Sequence, residues 1–183
     1  MKQAEQPSVD AYVQFARSAL LEKVSRSSLG AGALSETKPA LHDQSDDYRA
    51  RVVFRAHVEP TVLDQMRVEL WVTDNAEVAV GLETWERAAA LLGLHNTSHP
   101  SRFVTGHEPL RVTFDYIRDL VEVVAGGGAE LQARALFGRL NRVHLALTAE
   151  LSEAMRHLRP AFWPTGGWGL PLGGRMSVRY RPW

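Results

Sequence analysis

Cysteine is absent from this chain, so disulfides, thiolate zinc sites and a cysteine nucleophile are excluded together. Lysine is scarce. Lys2, Lys23 and Lys38 are the only examples among 21 basic residues, and none follows a glycine-rich loop, which excludes a P-loop. Charge of one sign is also missing. The 21 basic residues balance 21 acidic ones to a formal net charge of +0, so no global field draws the chain toward nucleic acid or an anionic bilayer. No stretch approaches the roughly 18 uninterrupted apolar residues of a membrane span. Met1–Pro7 is polar and lacks the apolar centre of a signal peptide. No membrane association is expected, and the default reading is a cytoplasmic bacterial protein. A Gly-x-Ser-x-Gly elbow is lacking. Gly30-Ala31-Gly32 has no third glycine and follows a helical pattern rather than a strand, so a dinucleotide fingerprint fails in both pattern and context. No cofactor is expected.

What the chain does have is strong periodicity. In the run Ala129–Leu158 the apolar positions Leu136, Leu140, Val143, Leu147, Leu151, Ala154 and Leu158 step by 4, 3, 4, 4, 3 and 4, a helical spacing. His144 borders that stripe and reads as a packed histidine, since no carboxylate has a defined spacing to it. Upstream, Leu110, Phe114, Ile117, Val121 and Val124 step by 4, 3, 4 and 3. Gly126-Gly127-Gly128 lies between the two runs and ends a helix readily, because glycine reaches φ > 0 without a Cβ clash. Two amphipathic runs across a short glycine turn predict an αα-hairpin.

Ser8 with Asp10 opens a further helical pattern, Ser8–Leu29, with Gly30 as its stop. The segment Gly30–Tyr48 reads as a long loop with an acidic patch at Asp43, Asp46 and Asp47. Three alternating stretches follow. Val52, Phe54, Ala56 and Val58 share a face, as do Met66, Val68, Leu70 and Val72, and then Val78, Val80 and Leu82. They predict an antiparallel meander with Asp74-Asn75 as a tight turn. Thr84 caps a short helix, Trp85–Leu92, ended by Gly93. The fold class expected is α+β: a three-stranded antiparallel meander covered by the αα-hairpin, plus an N-terminal helix. Met176–Arg181 is a candidate edge strand for the meander. The organisation expected is a helical arm over 1–30, a loop over 31–48, a core over 49–158 and an aromatic, Arg-rich segment over 159–183.

Two residue sets could carry function. His95, His99, His107 and Glu108 are the densest group of potential metal ligands, of a kind that suits zinc or iron in a small metal-dependent hydrolase. Asn96, Thr97, Ser98 and Pro100 argue against a helix there, and without one the spacing has no special meaning. Glu153 and His157 lie at i, i+4 but lack the His-Glu-x-x-His pattern, so a surface pair is the simpler reading. The second set is the tail, where Phe162, Trp163, Trp168, Tyr180 and Trp183 interleave with Arg175, Arg179 and Arg181. Arginine with aromatics suits a protein hot spot, stacking on nucleic acid bases, or a cover folded over an open end of the core. With a neutral chain and no catalytic signature, the expected function is a non-catalytic protein-interaction protein: a regulator, adaptor or toxin-neutralising partner. A homodimer formed through the N-terminal arm is one form of it, and nucleic acid is the lesser alternative.

Overall fold

A computed structural model describes residues 7–37, 51–94, 103–104, 114–136, 139–147, 161–162 and 174–183. Helix α1 spans Val9–Ser25. The Ser8 hydroxyl accepts from the Ala11 amide at 3.2 Å, a cap worth about 1 kcal/mol. Its buried face is Tyr12, Ala16, Leu20 and Val24, stepping by four. That face packs against helix α3, Phe114–Ala125, and against strands β2, Val52–Val58, and β3, Val68–Thr73. Lys23 pairs with Glu122 between the two helices. The expected arm is therefore part of the core.

The first sheet has the order β1-β2-β3-β4, with β1 at Leu34–Thr37 and β4 at Val78–Gly81, all antiparallel. The meander expected from alternation is its last three strands. Val52, Phe54, Ala56, Val58, Met66, Val68, Leu70, Val72, Val78, Val80 and Leu82 are all buried. β1 is an addition, since Gly30–Tyr48 was expected as loop. Leu34 pairs with Val58 and Thr37 with Arg55. Only Leu34 of the four β1 residues is even half-buried, so an exposed edge strand carried almost no apolar signal.

Helix α2, Trp85–Leu91, follows with Thr84 as N-cap. Its end is a Schellman motif. The Leu94 amide reaches the Ala89 carbonyl at 2.8 Å, the Gly93 amide reaches Ala90 at 3.0 Å, and Gly93 has φ +69°. Helix α3 ends the same way, with Gly128 bonded to Val123, Gly127 to Val124, and Gly127 at φ +71°.

The second sheet overturns the expected hairpin. The first half of Ala129–Leu158 is not a helix but two antiparallel strands, β6 at Ala129–Leu136 and β7 at Arg139–Leu147. The reason lies in a competing period. Leu131 and Ala133 are buried while Gln132 and Arg134 are not, and Val143 and Leu145 are buried beside a half-buried His144. Leu131 faces Leu145 and Ala133 faces Val143 across the register. An apolar step of four is shared by both periods; here cross-strand packing overrides the helix propensity of an Ala- and Leu-rich run. The remainder, residues 148–160, lies outside the described residues. The sheet order is β5-β8-β7-β6-β9, with β5 at Phe103–Val104, β8 at Ala161–Phe162 and β9 at Arg175–Arg179. The C-terminal edge strand thus exists but joins β6, not the meander. One hydrophobic core runs through the inner faces of both sheets and the three helices.

Candidate functional site

The tail residues divide by position. Tyr180 and Trp183 are 2% and 7% exposed and belong to the core, so neither is displayed at a surface. The Trp183 indole donates to the Met66 carbonyl at 2.8 Å, Gln65 Nε2 donates to the Pro182 carbonyl at 2.8 Å, and the Tyr180 amide donates to Ala129 at 2.9 Å. Arg181 forks onto Asp64, with Nε at 2.5 Å and Nη2 at 2.9 Å, and this hydrogen bonding holds the Asp64 carboxyl below its ordinary range. Residues 180–183 are thus a strap closing one end of the core. Arg175 and Arg179 remain exposed on β9. Phe162 contributes backbone to β8, and Trp163 and Trp168 lie outside the described residues, as do His95, His99, His107 and Glu108. Among the described residues no group of His, Asp and Glu could hold a metal ion.

Beneath the strap sits a polar hub. Arg87 of α2 has five N–H donors and places all of them. Nε meets Glu83 Oε1 at 3.0 Å. One terminal nitrogen meets Glu59 Oε1 at 3.2 Å and the Pro60 carbonyl at 2.8 Å. The other meets the carbonyls of Val62 at 3.2 Å and Gln65 at 2.8 Å. The Glu83 side chain is fully buried. Burial pushes its carboxyl up to about 7, against the opposing pull of Arg87 and of the Thr84 amide. The Tyr180 hydroxyl is near enough to shift it, yet neither that hydroxyl nor Glu83 Oε2 completes a hydrogen bond of ordinary geometry. The contact is a proximity, not a formed bond.

The sign of the resulting pH dependence is definite. Glu83 holds its proton more tightly folded than at its ordinary 4.5, so folding takes up a proton between the two values. The stabilisation is complete below pH 4.5 and is lost as pH rises through about 7. Across this window unfolding free energy should fall by about 3 kcal/mol. Urea denaturation at stepped pH checks this. Glu83→Gln should flatten the slope, and a wild-type curve parallel to that of the variant would contradict the assignment.

The outer face of the second sheet differs in kind. Register pairs Arg134 with Arg142 on one side and Arg175 on the other, so three neighbouring strands place arginine in one row. The next row holds His144, Gln132 and Ser177, and the one beyond holds Ala146, Glu130 and Arg179. Glu130 Oε1 accepts from Gln132 Nε2 at 3.2 Å and from the Ser177 hydroxyl. Among the described residues no carboxylate forms an ion pair with Arg134, Arg175 or Arg179. Like charges set directly opposite on a sheet are destabilising.

The outer face of the first sheet shows the ordinary solution. There Arg55 and Arg67 lie 3.3 Å and 2.6 Å from Glu69, Arg67 also meets Glu59 at 2.7 Å, and Arg55 stacks over Trp71. Burial alone would raise the Glu69 carboxyl. The neighbouring Trp71 side chain, with Arg67 and Arg55, outweighs burial and holds it below the ordinary range.

Of this second face, the expected tail set contained Arg175 and Arg179 but missed Glu130, Gln132, Arg134 and Ser177. The available signal was the polar alternation Glu130, Gln132, Arg134 at a spacing of two. Comparison of the chain with protein-family models, with curated proteins and with solved structures returns no match.

Proposed function

We propose that this chain is a non-catalytic interaction protein that binds an acidic protein partner on the outer face of its second sheet. The observation that carries this is the row Arg142, Arg134 and Arg175, whose described members lack the carboxylates that neutralise arginine on the first sheet. A row of like charges costs stability in the free protein, and a partner bearing acids would reverse that cost and gain from charge steering. The partner is a different chain, not a second copy, because an isologous contact through this face would bring arginine onto arginine. The buried face of α1 is taken up by the core and is not open to a second copy. With 21 charges of each sign, no net positive charge draws a nucleic acid backbone to the chain.

The test compares proteins retained from a native-host extract by the wild type and by Arg134→Glu with Arg175→Glu. Quantitative mass spectrometry should show an acidic protein depleted by about tenfold or more on the variant, while circular dichroism confirms that the variant folds. Identical retention on both would defeat the proposal. Tight oligonucleotide binding with a steep salt slope would replace it with the nucleic-acid reading.

A further inference from the structure

Within this face is a depression of about 420 Å³, walled in part by Arg134 and Arg175 with Gln132, Ser177 and His144. We propose that it is a phosphomonoester subsite, taking a phosphorylated side chain of the partner. The proposal rests on the interaction reading above and names the group recognised.

Charge and donor count both favour phosphate over carboxylate. Arg134 and Arg175 stand directly opposite each other on β6 and β9, and both line the depression. A carboxylate carries a single charge, so it would leave one of the two guanidinium charges uncompensated. A phosphomonoester carries close to two charges at neutral pH and three terminal oxygens, enough to engage both forks at once.

Gln132 and Ser177 form the row beside the arginine pair, and the Gln132 amide has a second N–H to offer. Glu130 is the one acid in the wall among the described residues. It is turned to Gln132 and Ser177, which ties the carboxylate down beside the arginine pair. Recognition of phosphorylated side chains by paired arginines needs no catalytic machinery and fits a face built only of strands.

The probe is phenyl phosphate, with benzoate as the carboxylate control, titrated into the intact protein and followed by amide chemical shifts. Phenyl phosphate should saturate below about 20 mM, and benzoate should bind about tenfold more weakly. Gln132, Arg134, Arg175 and Ser177 should show the largest changes. Arg175→Ala sits on an exposed edge strand and should fold normally while weakening phenyl phosphate by about tenfold.

Benzoate binding as tight as phenyl phosphate, or binding indifferent to Arg175→Ala, would overturn the subsite. So would no saturable shift at all. A second arm separates this from the interaction reading. If the partner is captured from extract but phosphatase treatment leaves capture unchanged, the subsite falls and the interaction stands. Saturable, Arg175-dependent phenyl phosphate binding with no partner captured leaves the subsite and removes the interaction.

Discussion

Arg87→Ala is expected to lower unfolding free energy by about 3–5 kcal/mol, the range for removing one partner of a buried ion pair. The midpoint of thermal unfolding should fall by roughly 10 °C or more. The size follows from what the side chain does. It neutralises a fully buried carboxylate and also donates to three backbone carbonyls, at Pro60, Val62 and Gln65. Removing the guanidinium leaves Glu83 buried without its cation and takes the side-chain donor from the Pro60 and Gln65 carbonyls, while Val62 keeps its bond from the Gln65 amide. Arg87→Lys should recover only part of the loss, because an ammonium cannot spread donors over five acceptors. Glu83→Gln combined with Arg87→Ala should be less damaging than the sum of the singles, since the uncompensated charge is gone. Urea denaturation of the four proteins measures this directly, and a loss under about 1 kcal/mol for Arg87→Ala would show that the hub is not what holds the 59–65 segment.

Gly127→Ala is the second change with a large expected effect, about 3 kcal/mol or more, or a midpoint lower by roughly 6–12 °C. Two causes add. Gly127 has φ +71°, where an L side chain costs roughly 1–2 kcal/mol. A Cβ there would also lie 2.8 Å from the Pro182 nitrogen and 2.9 Å from its Cδ. Both are held by backbone and ring, so the strap itself would have to shift. Gly126→Ala is the control. Its Cβ would meet the carbonyls of its own helix, Glu122 at 3.2 Å and Val123 at 3.6 Å, on backbone of ordinary φ. Thermal unfolding of both variants reads the contrast, and equal losses would mean that the strap does not bear on Gly127.

How much of this was visible in the chain can be said residue by residue. The meander was legible because apolar residues alternate with other types, so the period of two stood clear in Val52 to Val58, where the second face is half wet, and in Met66 to Val72, where Arg67, Glu69 and Trp71 separate the core residues although Glu69 is itself buried. The caps were legible because Ser8, Thr84, Gly93 and Gly127 act through local hydrogen bonds and φ, which need no knowledge of distant contacts. β6 and β7 were not, because alanine and leucine at a spacing of four satisfy a strand face as well as a helix face. Gly138, in the middle of the supposed helix, was the residue that should have broken it. The candidate face was hidden for the same reason: Arg134, Arg142 and Arg175 become neighbours only through strand register, which is a long-range property. The burial of Tyr180 and Trp183 depends on the loop 59–66, far away in sequence, and no local pattern reports it.

That distance has a consequence for how the molecule assembles. The first sheet can form from consecutive segments, but the indole that seals its end at Met66 arrives from 117 positions downstream. Closing so long a loop forfeits chain entropy before any contact returns it, so sealing belongs to the late part of folding. While synthesis is in progress, the greasy end around Met66 has no lid, and that interval is when the nascent chain is most exposed to aggregation and to chaperones.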